Sequence, residues 1–414
     1  MTVAAAPTFR RDVKILSLVS AGHFMSHFYS LCIPPLFLFI QQDIGASFAA
    51  LGFLMSVRAF VSGSMQIPAG FLTDKIGAKP VLIGGLTLLA GATALMYFAP
   101  NYWTLMALTA VIACGNSVFH PTDYAILNSS VSRSWIGRAF SIHTFAGHLG
   151  TAVAPVVIVF IALQTDWRTA QLIVGLLGFV VLAGLALQWK DMNDDVIPQR
   201  KKKAAPADAG AAAPLTWRDH FATLMTGPMI ILSLFFIMTS LHSGGMTTFF
   251  VTGLTALHDT PATVAGSALS GYLLATAFGV LLGGVLADFT KRHDISSAVA
   301  FAISAAIMAV VTWFPLNEII LIAIMTISGL MQGAIRPARD MMVRAAVPKG
   351  SMGKAFGFVS SGASIGGGLA PVLFGYFLDI GRPDLVFYML IAFTLLCVLA
   401  SIAPKEYRNV EVRT

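Results

Sequence analysis

Charge is what this 414-residue chain has least of: Asp, Glu, Lys and Arg together make up 11% of it. A water-facing globular surface carries roughly 25% charged residues, so a soluble fold is excluded. Cysteine is nearly absent. Cys32, Cys114 and Cys397 lie singly inside apolar runs, which excludes a disulfide framework and a cysteine-based metal site. No Walker loop and no H-E-x-x-H string occurs, so neither ATP drive nor zinc-peptidase chemistry has a carrier, and no cofactor and no enzymatic activity is expected.

What is abundant is apolar length, with 57% of residues hydrophobic. Runs of about 20 apolar residues recur, each long enough to cross a hydrocarbon core of about 30 Å. Twelve are expected as helices: 15–40, 49–73, 80–98, 103–128, 138–163, 169–189, 222–252, 262–288, 296–315, 318–343, 353–378 and 385–403. The first is too long for a signal-peptide core and is expected to stay as a helix. Turns such as Gln41-Gln42-Asp43 and Asn317-Glu318 carry almost no positive charge, whereas the alternate set holds 21 of the 26 Lys and Arg. The positive-inside rule then puts both termini in the cytoplasm of an inner-membrane protein, which requires an even number of spans. The net charge of +7 follows from topology, so no nucleic-acid partner is expected.

Residues 190–218 are polar and rich in Ala, Pro and charge, and read as a cytoplasmic linker between a 1–189 bundle and a 219–414 bundle of six helices each. The halves repeat. At an offset of 216, Pro121 meets Pro337, Gly137 meets Gly353, Arg138 meets Lys354, Gly150 meets Gly366 and Ala154-Pro155-Val156 meets Ala370-Pro371-Val372. Gly70 and Asp74 recur as Gly284 and Asp288 at an offset of 214. Parallel six-helix repeats are a transporter architecture with the substrate near mid-membrane. Glycines 147, 150, 366, 367 and 368 are expected at close helix approaches.

Ionisable groups inside spans are costly and mark a pathway by default. His23 and His27 lie on one helix face at i and i+4. The second span holds Arg58. The fourth holds His120, Asp123 and Tyr124, and the fifth His143 and His148, which read as histidines packed against a neighbouring helix. The seventh holds Met238, His242 and Met246, and the tenth Gln332, Arg336, Arg339 and Asp340. A guanidinium keeps its charge and needs an anionic partner. The spans offer two deep carboxylates, Asp123 and Asp340, for three arginines, and an anionic substrate balances the excess. His23, His27, Arg58, His120, His242 and Arg336 are therefore the candidate substrate contacts, and Asp123, Arg339 and Asp340 the candidates for proton coupling or a gate. The repeat also allows Asp123 to meet Arg339 between the halves. Two other readings stay open: a transition metal or metal chelate as substrate, on His23/His27 and the Met238/His242/Met246 row, and a non-transporting membrane sensor.

The segment Gly70-Phe-Leu-Thr-Asp74-Lys-Ile-Gly77-Ala-Lys79 resembles the loop between the second and third helices of the major facilitator superfamily, with an echo in Gly284-Val-Leu-Ala-Asp288. Phe119-His120-Pro121 is similar to its fosmidomycin-resistance-like branch. Ala78 stands where a basic residue is usual. Thr109 stands near the arginine of proton-coupled drug antiporters, which sets drug/proton antiport aside. The resemblance implies two pseudo-symmetric six-helix bundles, an all-α integral membrane fold. It also implies alternating access by a monomer, with helices one, four, seven and ten lining the cavity and a cytoplasmic gate formed by Gly70, Asp74, Gly77, Lys79, Arg138 and Asp288. A small organic anion and protons are the expected partners, with the lipid bilayer around them.

Overall fold

The computed structural model describes residues 9–132, 136–192, 226–290, 292–345 and 352–402. Those residues are nearly all helical, and twelve segments are long and apolar enough to cross a membrane, each overlapping one of the expected runs. The linker reading at 190–218 falls largely on residues 193–225, outside the described residues.

Two spans are broken where the sequence reading has single helices. The first is α1 (Phe9–Ser30), a 3-10 turn at Pro34–Leu36 and α2 (Phe37–Ile44). Pro34 and Pro35 supply no backbone N–H, and the chain closes instead through Leu36 N–H to the Ile33 carbonyl at 3.0 Å. The fourth span is α5 (Tyr102–Asn116) and α6 (Phe119–Ser130). Its break at Ser117 and Val118 lies within one turn of Pro121, whose ring excludes the carbonyl four residues back. The other helices of the first half are α3 (Phe48–Ile76), α4 (Ala78–Leu95), α7 (Ile136–Gln164) and α8 (Trp167–Leu187). Those of the second are α9 (Gly227–His258), α10 (Ala262–Phe289), α11 (His293–Trp313), α12 (Glu318–Ala345), α13 (Met352–Asp379) and α14 (Pro383–Ile402).

The chain divides into two compact units, Met1–Ala46 with Val57–Asp208 and Ser47–Ser56 with Ala209–Thr414. In the first, α1 packs on α7 and α4 on both α5 and α8. Gly150 lets α1 approach: a Cβ there would sit 2.2 Å from the Phe24 carbonyl oxygen. In the second, α9 packs on α13 and α14, and α10 on α12, around a core that includes Met229, Phe235, Phe301 and Val359. Gly366 fits its expected close contact, facing the Ile237 carbonyl oxygen at 2.5 Å, whereas Gly368 faces open space. The first turns of α3 belong to this second unit. Asp379 accepts from Phe48 N–H at 2.7 Å and Ala49 N–H at 2.8 Å, satisfying two donors that a helix start leaves unpaired.

Gly77 separates α3 from α4 with φ 98°, a left-handed conformation that disfavours any side chain. Asp166 caps α8, accepting from Arg168 N–H at 2.8 Å and Thr169 N–H at 2.9 Å. The bonds from Thr169 hold its carboxyl below the ordinary carboxylate value. Because the folded value is depressed, the contribution is present above the unfolded value and lost as pH falls through the folded one. Asp166→Ala is expected to lower stability by about 1 kcal/mol at neutral pH, read as a lower thermal midpoint in detergent, and to cost less in acid.

Candidate functional site

Three helices of the first unit bring a carboxylate and four imidazoles together. Helix α1 offers His23 and His27 one turn apart, with ring centroids separated by 4.6 Å. Helix α6, starting just after the break, offers His120 and Asp123. Helix α7 adds His143. Asp123 and His143 are fully buried and His23 is 4% exposed. Asp123 Oδ2 lies 3.1 Å from His23 Nδ1 and 3.4 Å from His143 Nε2. These are ion-pair distances without the alignment of a hydrogen bond, so both carboxylate oxygens and both ring nitrogens lack an aligned partner. The His23 and His143 rings stack at 4.1 Å, and His120 stands 5.5 Å from His23. Gly147 makes the room, since a Cβ there would meet the His23 ring at 2.7 Å. Ser20 Oγ lies 3.5 Å from His143 Nδ1, and His27 Nδ1 lies 3.1 Å from Thr151 Oγ1. Arg58 is within electrostatic reach of His27 and Cys32, and its Nε is buried without a hydrogen bond.

His143 is the member that the sequence reading set aside as a packing histidine. Its signal lay in the glycines: His143, Gly147 and Gly150 recur at i, i+4 and i+7. They share the face already expected to meet another helix closely.

The second unit holds a cavity of about 250 Å³. Helix α12 lines it with Gln332, Arg336 and Arg339, spaced to share one face, and α9 with Phe236, Thr239, Ser240, His242 and Ser243. Tyr272 and Thr276 come from α10 and Phe301 from α11. Among the described lining residues there is no carboxylate. The Arg339 guanidinium lies 4.3 Å over the Phe236 ring, a cation–π contact that fixes its plane. A hydrogen-bond network holds the floor. Thr394 donates to the Leu390 carbonyl at 2.7 Å, so His242 Nδ1–H is the donor to the Thr394 hydroxyl at 2.9 Å. That tautomer turns the Nε2 lone pair toward Gln332 Nε2, 3.4 Å away, while Gln332 also donates to Ser304 at 3.1 Å.

The sequence-predicted residues thus separate into two groups. His23, His27, His120 and Asp123 assemble in the first unit, with Arg58 in electrostatic reach of His27, and His242, Arg336 and Arg339 assemble in the second. Met246 is fully buried, and Met238 packs against the apolar core. The side chains of Asp340 and Asp288 lie outside the described residues. Of the gate motif, Asp74 and Arg138 are exposed, and Gly70 has open space where a side chain would be. Lys79 caps the far end of α8, donating to the Trp189 and Met192 carbonyls at 3.3 and 3.2 Å. The string Gly362-Ala-Ser364-Ile-Gly366 has the spacing of a hydrolase nucleophile turn but lies within α13. There Ser364 bonds its own helix at the Ser360 carbonyl, and Gly362 and Gly366 pack on α9.

Among the described residues, twelve helices long and apolar enough to cross a membrane, with polar clusters buried among them, define a multi-pass membrane protein. The family profile of the Major Facilitator Superfamily matches residues 19–257 and 235–413, and the chain belongs to that family. A probable sulfoacetate transporter of Cupriavidus necator is 31% identical over 42% of this chain and 39% of that protein. The fosmidomycin resistance protein of Escherichia coli is 25% identical over 70% of each chain. The gentisate transporter of Corynebacterium glutamicum is 26% identical over 82% of this chain and 75% of its own. Among solved structures, the nucleoside transporter NupG superposes with a TM-score of 0.76 at 14% identity, over 95% of this chain and 99% of that one.

Proposed function

We propose that this chain is a secondary transporter that carries a small organic anion across the cytoplasmic membrane by alternating access, as a monomer with both termini in the cytoplasm. One observation carries the reading: two arginines, Arg336 and Arg339, line the same cavity of the second unit from one face of α12. Two guanidiniums lining one cavity bind a carboxylate, sulfonate or phosphonate through charge-assisted hydrogen bonds. The Ser and Thr hydroxyls and Gln332 complete the shell. Relatives named for sulfoacetate and gentisate support an anionic substrate. Residues 190–218 serve as the tether between the halves, and Gly70, Asp74, Gly77, Lys79, Arg138 and Asp288 as the cytoplasmic gate.

The driving ion in this reading is the proton. His242 is the one imidazole among the described lining residues, and its Nε2 is the atom that can take up a proton beside the arginines. Protonating its Nε2 turns an acceptor into a donor beside the arginines and adds a charge that a bound anion offsets. Proteoliposomes holding the purified chain test both parts. Saturable uptake of at least one small carboxylate, sulfonate or phosphonate is expected, accelerated by an inward proton gradient. Flux of neutral or cationic solutes with all anions inert overturns the anion reading, and uptake indifferent to the gradient overturns the coupling.

A further inference from the structure

The anion reading leaves the buried cluster of the first unit without a task. A carboxylate at 0% exposure is expensive unless its charge is met. Among the described residues its ion-pair partners are two histidines, one on α1 and one on α7. Neither bond is aligned, so an internal hydrogen-bond network does not account for the arrangement. One donor atom from each of the three residues lies within 4.8 Å of the others. The two edges from Asp123 Oδ2, 3.1 and 3.4 Å, lie at or just below the ligand-to-ligand separation of about 3.4 Å that follows from a tetrahedral zinc with bonds near 2.1 Å.

We propose that His23, Asp123 and His143 form a binding site for a divalent transition-metal ion of the zinc and cobalt class. The donor set decides the class. Two imidazoles with one carboxylate suit zinc or cobalt, whereas magnesium and calcium demand oxygen ligands and cuprous copper favours thiolates and thioethers. Ser20 beside His143 Nδ1 holds the outer nitrogen of one ligand, as supporting groups do around metal-bound imidazole. The rings of His27 and His120 stand 4.6 and 5.5 Å from that of His23 and border the fourth position. His120 is exposed, so this position is open and the ion exchangeable. The site differs from the ligand row expected on α9, where His242 is engaged by Thr394 and Gln332. It stands apart from the anion reading, because binding of a metal neither requires nor excludes anion flux, and the two tests fail separately.

The test uses the tag-free full chain in detergent, stripped with a chelator and titrated with cobalt(II). One cobalt per chain is expected, with the strong visible bands of four-coordinate cobalt and their loss on adding zinc. Asp123→Asn and His143→Gln should each weaken binding by about a hundredfold or more, since losing a direct ligand exceeds the 10–100-fold cost of losing a supporting group. His258→Gln, outside the cluster, should bind as the parent does. A parent chain that binds no cobalt, or shows only the weak spectrum of the hydrated ion, overturns the proposal, and this arm needs no variant to fold. Variants that elute as monodisperse protein and bind cobalt as tightly as the parent overturn it as well.

Discussion

Arg336→Gln removes saturable anion uptake, with binding weakened more than about a hundredfold. The magnitude follows from the surroundings. Arg336 is exposed into a cavity of about 250 Å³ that it shares with Phe301 and Tyr272, and no carboxylate side chain of the described lining competes there with a bound anion. Each hydrogen bond between the guanidinium and a charged group contributes about 1.5–3 kcal/mol, and Arg336→Gln removes the charge-assisted pair. Arg336→Lys keeps the charge but loses the planar fork, and should recover part of the binding, leaving a deficit of about tenfold. Arg339→Gln should cost less, since that guanidinium is turned onto the Phe236 ring. The measurements are anion-induced thermal stabilisation in detergent and initial uptake in proteoliposomes. Uptake by Arg336→Gln at the parent rate removes the arginine from the substrate site.

The repeat gives this asymmetry its meaning. At the offset of 216, His120 corresponds to Arg336 and Asp123 to Arg339. The first unit spends these positions on a buried carboxylate–imidazole cluster, and the second on a cationic cavity. Hydropathy alone locates all twelve spans, because a bilayer demands an unbroken apolar run whatever the tertiary contacts. The helix breaks at Pro34–Leu36 and Ser117–Val118 are less legible: each depends on prolines that membrane helices often tolerate. Arg336, Arg339 and His242 stand out in the sequence because an ionisable group in a span needs a reason. His143 does not, since one membrane histidine reads the same whether it packs or joins a cluster. Deciding required knowing that α7 turns that face toward α1. The Asp379 cap on α3 was equally hidden, because 331 residues separate donor and acceptor and no local pattern announces the pair.

Gly333→Ala or Gly329→Ala should cost the folded protein itself, the largest structural effect expected from adding one methyl group. Helices α10 and α12 meet backbone to backbone. A Cβ at Gly329 would stand 2.0 Å from the Tyr272 carbonyl oxygen, and one at Gly333 2.1 Å from that of Thr276. The opposing glycines do the same in return, Gly279 against the Leu330 carbonyl oxygen and Gly283 against that of Ala334, both at 2.3 Å. No rotamer relieves a clash between a Cβ and a backbone oxygen, so the helices must separate. Overpacking typically costs about 1–3 kcal/mol, and a collision with main chain belongs at or above the upper end. The loss falls on function too, because Tyr272 and Thr276 wall the cavity that Arg336 and Arg339 enter from the facing helix. Separating α10 from α12 opens that wall even in molecules that still fold. Gly284→Ala is the control: nothing lies within 4 Å of its added methyl group, and alanine favours helix over glycine. Thermal midpoint and monodisperse yield read the comparison. If Gly329→Ala and Gly333→Ala match Gly284→Ala in both, the close contact of α10 with α12 is not what holds the cavity in shape.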